Sequence, residues 1–392
     1  MNILTTGMGW IDHTPGGLNR YFADYTLAMQ QQGHNIRALV TAGGEKISAP
    51  PYMEEVLTQS DKTGTWDRVR AFRTAAAQTK KQWRPDVYNP HFALYASLIG
   101  RGQLPANIPI VTHFHGPWAK ESMIEDKSSF SAQQINYQIK KKVESLAYNR
   151  SNRFIVLSEY FSSLLQQDYG IPGNIVHIVP GAVDTERFKP SSNRQQLRKE
   201  LGFHENDRVL FCVRRLVRRM GIDRLIHAMS EISAQVPEAI LIIAGDGTMR
   251  DELKALSAKL ELTDKIRFVG RVSNEELVQW YQAADVSVVP TVTLEGFGLV
   301  TVEALACGTP VVGTPNGGTK EILQQFDSNL LFDDDTPEAM SSRIISLLKS
   351  EKGLPERERC RSHVMERYTW EKIANGVSDV FHLAAEDSLR RA

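Results

Sequence analysis

Cysteine is scarce in this chain. Its three residues, Cys212, Cys307 and Cys360, stand far apart without metal-ligand spacing in 392 residues. Cys212 and Cys307 lie in apolar surroundings, so the expectation is core thiols in a reducing compartment. Charge imbalance is also absent. The formal net charge is zero, which removes any global pull toward nucleic acid or anionic lipid. No uninterrupted apolar run approaches the ~18–20 residues that span a bilayer. The first residues, Met1-Asn-Ile-Leu-Thr-Thr-Gly7, read as a strand rather than a charged n-region followed by an h-region. No signal peptide is therefore expected, and the expected location is the cytoplasm, with at most peripheral contact at the inner membrane face. Low-complexity segments and short-period repeats are missing as well. What is present is an ordinary globular composition, 42% hydrophobic and 23% charged, at a length suited to two or three domains.

Apolar, β-rich runs alternate with helical patterns throughout. In the first half the runs are Ile3–Thr6, Ile36–Val40, Asp86–Tyr88, Ile110–His113, Phe154–Leu157 and Val176–Val179. In the second half they are Val209–Val213, Ala239–Ala244, Ile266–Val269, Val286–Val289, Pro310–Gly313 and Leu330–Phe332. Such alternation indicates parallel α/β sheets. Ile222, Leu225, Ile226, Met229, Ile232 and Val236 form one apolar helical stripe; Ile135, Ile139, Val143 and Leu146 form another. Lys140, Lys141 and Lys142 interrupt the second stripe and read as a solvated face, with weak support for transient contact with an anionic membrane. Pro180-Gly-Ala-Val-Asp184 through Pro190 breaks the pattern near the middle. The expected fold class is therefore α/β, with two doubly wound Rossmann-like domains facing a central cleft. The expected division is 1–181, 182–375 and a C-terminal helix over 376–392 that packs back on the first domain.

The most informative stretch is Glu295-Gly-Phe-Gly-Leu-Val-Thr-Val-Glu303, with two carboxylates eight residues apart. A short apolar strand precedes it and a helical run closes it. A strand, a glycine loop and a helix N-terminus seat a phosphate, because free N–H groups and the helix dipole both favour anions. Carboxylates beside that seat suit hydroxyl groups next to the phosphates, as a nucleotide sugar carries them.

Taken in order, Thr14-Pro-Gly-Gly17, His113-Phe-His-Gly116, Pro180-Gly-Ala-Val-Asp184, Val213-Arg-Arg-Leu216, Ala244-Gly-Asp-Gly247, Phe268-Val-Gly270, the Glu295–Glu303 stretch and Asn316-Gly-Gly318 carry a resemblance. The chain resembles the retaining glycosyltransferases of family 4 (group 1), with the two-Rossmann GT-B architecture, nearly end to end. The resemblance implies that Gly16 and Gly17 close over the donor diphosphate and border the acceptor. It implies that His115, rather than the neighbouring strand-end His113 and His91, meets the donor sugar, and that Arg215 faces the leaving diphosphate. Gly245 and Arg271 would lie beside the nucleotide and Glu303 on its ribose. Glu295 would contact donor-sugar hydroxyls, with the backbone of Gly296, Phe297, Gly298, Leu299 and Val300 toward sugar and diphosphate. His115, Arg215 and Glu295 are the expected catalytic residues; no general base is assigned, since front-side retaining transfer need not have one.

The sequence departs from the family in one place. The usual pattern has an arginine and, five residues later, a lysine on the diphosphate; five residues after Arg215 stands Met220. Arg219 is the expected replacement, since a guanidinium can bind two phosphate oxygens. Asp333-Asp-Asp335 precedes Thr336-Pro-Glu and reads as a helix cap rather than a metal site. No cofactor and no metal are expected. The expected activity is transfer of a hexose from a nucleoside-diphosphate sugar, a UDP-sugar first, to a hydroxyl of a sugar, cyclitol or lipid-linked glycan, without nucleic acid as a partner. Acceptor recognition is expected from Gly16–Tyr21, His91–Tyr95 and Trp118–Glu125. The competing readings are an epimerase or phosphorylase of the same fold, and a nucleotide-sugar-binding pseudoenzyme, which Met220 motivates.

Overall fold

The computed structural model describes residues 1–14, 16–41, 49–57, 63–125, 129–350 and 353–390. Pro15 of the Thr14–Gly17 motif and residues 391–392 of the expected last helix lie outside the described residues. The chain divides into two compact units, Met1–Ala182 with Trp370–Ala392, and Val183–Thr369.

The first unit holds β1 (Asn2–Gly9), β2 (Asn35–Thr41), β3 (Met53–Leu57), β4 (Val87–Pro90), β5 (Val111–Phe114), β6 (Arg153–Val156) and β7 (Val176–Ile178). Strands β3-β2-β1-β4 form one parallel sheet and β5-β6-β7 another, with a parallel bridge from Tyr88 to Ile110 between them. Six of these strands follow from the apolar runs. The seventh, β3, is Met-Glu-Glu-Val-Leu, only partly buried along its length. As an edge strand it needs no continuous apolar run, so periodicity does not reveal it.

The helix Phe130–Tyr148 corrects a second expectation. Its stripe Ile135, Ile139 and Leu146 is 61%, 58% and 45% exposed, while Glu144, Ala147 and Tyr148 are buried. Glu144 decides which face turns inward. It accepts hydrogen bonds from Tyr169 Oη at 2.6 Å and from the backbone N–H of Ala119 at 3.3 Å. Of the three lysines on this helix, Lys140 lies over Trp118 and Lys141 over Tyr137 and Tyr169. The last helix runs Trp370–Arg390, starting at Trp370 rather than 376, and groups with the first unit. Its Trp370 ring packs against Tyr21 with centroids 5.3 Å apart and planes tilted by 57°, and Arg153 pairs with Asp387 at 2.7 Å. Among the described residues no helix is long and apolar enough to cross a membrane.

The second unit holds β8 (Arg208–Val213), β9 (Ala239–Ala244), β10 (Ile266–Gly270), β11 (Val286–Val289) and β12 (Val311–Gly313). They form one parallel sheet in the order β10-β9-β8-β11-β12, extended by a single bridge from Gly313 to Leu331. The expected strand at 330–332 is thus reduced to that bridge, because a 3-10 turn occupies Ser328–Leu330. Here the helical stripe holds. Ile222, Leu225, Ile226, Met229, Ile232 and Val236 are all buried around the helix Ile222–Gln235. Each such side chain stabilises the packed unit by roughly 1.5–3 kcal/mol relative to exposure.

Candidate active site

In the second unit the chain leaves β8 toward β9 and β10 on one side, then returns to β11 on the other. The carboxyl ends of β8 and β11 therefore flank a topological switch point, where doubly wound sheets bind ligands. The Arg214–Arg219 run follows β8, and the loop carrying Glu295 follows β11.

Glu295 is 8% exposed. Its Oε2 takes a charge-assisted hydrogen bond from Arg214 Nη2 at 2.5 Å and another from Thr291 Oγ1 at 2.9 Å. Arg215 and Arg219 are expected here from sequence and Arg214 is not; the strand end aims the Arg214 side chain inward, where it is 7% exposed. Arg215 is exposed. Arg219 is buried, donates from Nη1 to the carbonyl of Leu294 at 3.2 Å, and accepts from the N–H of Val292 at 2.9 Å. It thereby props the segment before Glu295. Leu294 itself has φ of 56°, an uncommon value for a branched apolar residue that the surrounding contacts must enforce.

The loop then enters the helix Leu299–Ala306 through Gly298, whose φ is 91°. Glycine meets this left-handed requirement without strain. The N–H groups of Leu299 and Val300 fall in the first turn, where helix geometry supplies no carbonyl partner, so they and the dipole favour an anion. Glu303 is the fifth residue of this helix and is 3% exposed; it accepts from Tyr281 Oη at 3.1 Å. Burial and the Glu303 carboxylate push the Tyr281 phenol well above its ordinary value, so it stays a donor.

Asn316-Gly-Gly318 braces the loop from behind. Gly317 has φ of 58°, and a Cβ there would overlap the carbonyl oxygen of Glu295. A Cβ on Gly318 would overlap the backbone of Phe297, while its N–H donates to the Glu295 carbonyl at 2.9 Å. Gly245, at the end of β9, packs its α-carbon against the carbonyl of Arg214. Arg271 follows β10, is 76% exposed and lies 3.5 Å from Asp246. The Asp333–Asp335 run has local partners: Asp334 accepts from the N–H of Thr336 at 2.8 Å, Asp333 pairs with Arg343 at 3.0 Å and Asp335 with Arg224 at 2.6 Å. Thr336 then caps the helix Pro337–Lys349, accepting from the N–H of Ala339 at 3.2 Å.

The first unit gathers a polar cluster at the ends of β4 and β5. Asn89 Nδ2 donates to the carbonyl of Val111 at 2.5 Å and to His113 Nδ1 at 2.9 Å. Its Oδ1 accepts from Tyr25 Oη and from His91 Nε2, each at 2.8 Å. His91 Nδ1 is thereby left as an acceptor, and the Nε2–H of His115 donates to it at 2.9 Å. Every histidine in this network is neutral. Burial holds His91 and His113 well below their ordinary 6.5 and takes His115 down to about 3. His91 and His113 are 2% exposed, whereas His115 reaches the surface in part. Gly16 precedes the helix Gly17–Gln31, and a Cβ on it would meet open space, so nothing in the described fold demands glycine there.

Two family models match the chain: Glycosyltransferase Family 4 over residues 15–187 and Glycosyl transferases group 1 over residues 193–367. The mannosylfructose-phosphate synthase of Agrobacterium fabrum is 30% identical over 283 residues, 67% of this chain and 62% of that one. A GDP-mannose-dependent phosphatidylinositol monomannoside mannosyltransferase of Corynebacterium glutamicum is 30% identical over 57% of this chain and 60% of its own. These matches span less than two thirds of either relative. D-inositol 3-phosphate glycosyltransferase 2 of Catenulispora acidiphila is 28% identical over 87% of this chain and 80% of its own. In structure, sucrose-phosphate synthase from Thermosynechococcus elongatus superposes with a TM-score of 0.79 at 21% identity, covering 98% and 99% of the two chains. Anabaena HepE, solved with UDP and glucose, gives 0.76 at 21% identity over 97% and 99%. The fold is thus the GT-B fold, both halves carry their own family match, and the chain belongs to the group 1 glycosyltransferases of family 4.

Proposed function

We propose that this protein is a retaining glycosyltransferase that moves a hexose from a nucleoside-diphosphate sugar to an acceptor hydroxyl. The observation that carries the reading is the β11 loop. It sets a hydrogen-bonded Glu295, the N-terminus of the helix Leu299–Ala306 and the buried Glu303 in sequence beside the arginines that end β8.

Each part has a chemical task. Glu303 accepts hydrogen bonds from ribose hydroxyls. Glu295 has Oε2 held by Arg214 and Thr291, which fixes the carboxylate to accept from donor-sugar hydroxyls and to stabilise positive charge at the anomeric carbon. As the glycosidic bond breaks, negative charge grows on the departing diphosphate. The helix N-terminus, Arg215 and their neighbours stabilise that charge more in the transition state than in the ground state. Because cationic side chains meet the diphosphate, the proposed chemistry uses no metal. In this reading the first unit supplies Gly16 and Gly17, which border the acceptor, and the neutral His115, whose proton arrangement suits a hydrogen bond to a hydroxyl of the donor sugar. The acceptor is a sugar, cyclitol or lipid-linked glycan. Peripheral contact with an anionic membrane through Lys140–Lys142 belongs to the same proposal.

UDP-sugars remain the first donors to test. GDP-mannose stands beside them, since relatives in Corynebacterium glutamicum and Mycobacterium tuberculosis are named as GDP-mannose-dependent. The test is a panel of UDP-glucose, UDP-galactose, UDP-N-acetylglucosamine and GDP-mannose, incubated with and without a chelator. Slow donor hydrolysis or transfer, unaffected by chelator and yielding the donor's own anomeric configuration by NMR, is expected. Inversion at the anomeric carbon, or no turnover of any nucleotide sugar, contradicts the proposal.

A further inference from the structure

The family pattern leaves a gap at Met220, and the local geometry indicates where the missing charge went. Met220 is 7% exposed, in a 3-10 turn over Arg218–Met220. Its Sδ lies 3.9 Å from Thr291 Oγ1, and the same hydroxyl donates to Glu295 Oε2 at 2.9 Å. Side-chain position 220 therefore ends one hydroxyl group away from the Glu295 carboxylate, where the lysine that the family pattern sets on the diphosphate would also balance that carboxylate. A thioether cannot neutralise a carboxylate. An unpaired Glu295 would repel the diphosphate that the site is proposed to receive.

Arg214 reaches the same carboxylate off the end of β8 and meets Oε2 at 2.5 Å with its side chain 7% exposed. Its backbone is fixed by Gly245, which packs against its carbonyl, and by an N–H donated to Ala244 at 3.0 Å. Among the described residues its Nε–H is a buried donor without a partner. Leaving such a donor unmade is costly, which argues against packing as the reason for an arginine here.

We propose that Arg214 takes over the cation that Met220 does not supply. It is a positioning residue: it fixes and neutralises Glu295, so that one carboxylate can serve the sugar without repelling the leaving diphosphate. The inference rests on the donor reading above. It assigns this role to Arg214 rather than to Arg219, which braces Leu294.

A charge-relocation series tests it, measured on the full chain with the best donor from the panel. Arg214→Met keeps an unbranched apolar stem and removes the guanidinium and its charge; it is expected to lower kcat about 100-fold. It should also weaken the nucleoside diphosphate more than the nucleoside monophosphate. Met220→Lys alone should gain no more than twofold, because the carboxylate already has its cation. The double variant Arg214→Met/Met220→Lys should recover at least tenfold over Arg214→Met. Thermal melting accompanies each protein, and Arg214→Lys serves if Arg214→Met does not fold, with an intermediate loss expected because the planar fork is gone. Arg214→Met retaining kcat within threefold, a tenfold gain from Met220→Lys alone, or no recovery in the double variant overturns the inference while leaving the donor reading intact. A wild-type chain that binds no nucleotide sugar overturns the donor reading, and the inference with it.

Discussion

Glu144 shows how a single residue can override a helical pattern. It is fully buried and pairs with no cation among the described residues, and desolvation raises its carboxyl from an ordinary 4.5 to about 7, against the hydrogen bonds from Tyr169, Ala119 and Tyr148 that lower it. A carboxyl raised on folding stabilises the protein fully below 4.5, and that contribution is lost as pH rises through about 7. Glu144→Gln keeps the shape and removes the ionisation. By chemical denaturation the variant should match the wild type near pH 4 and exceed it by about 2 kcal/mol near pH 8. Equal stability at both pH values would remove burial as the cause. The same residue explains why the Ile135–Leu146 stripe misled. Hydrophobic period counts apolar side chains, and here an acidic side chain with tyrosine partners fixes the inward face. Arg214 was hidden for a related reason. Four arginines in six residues look alike in sequence, and only the course of the chain leaving β8 decides that Arg214 and Arg219 turn inward while Arg215 and Arg218 stay exposed.

Among elements, those buried on both faces were the most legible. β9 is Ala-Ile-Leu-Ile-Ile-Ala, buried at every position, and its bounds coincide with the apolar run. β3 carries two glutamates at a sheet edge and left no such trace. The loop after β11 was legible through its glycines, and the structure supplies their physical reason. Gly317 and Gly318 let the helix Gly317–Phe326 touch the backbone of residues 295–297. Gly318→Ala should therefore destabilise the protein by about 3 kcal/mol, by overpacking backbone that cannot move aside. The same change should weaken donor binding, since the displaced segment carries Glu295. Denaturant unfolding alongside a donor titration checks both; a loss below about 0.5 kcal/mol would show that the brace is soft.

For the molecule as a whole, alternation of apolar runs and helices was enough to indicate two doubly wound units, because the order of elements in a parallel sheet follows from short crossover rules. The final helix was legible as an element but not in its start, which Trp370 sets by packing on Tyr21. Zero net charge means that anion binding, where it occurs, comes from local arrangement: a helix N-terminus and the arginines after β8, with Arg214 balancing the nearby Glu295 carboxylate. Calorimetric titration of the wild type and of Glu303→Ala with UDP and with GDP tests that arrangement as a nucleotide site. The expected result is saturable binding of one nucleoside diphosphate to the wild type, insensitive to chelator, and its loss by at least 100-fold in a Glu303→Ala protein that melts cooperatively. Undiminished binding by that variant, or no binding of either nucleotide by the wild type, would contradict the assignment.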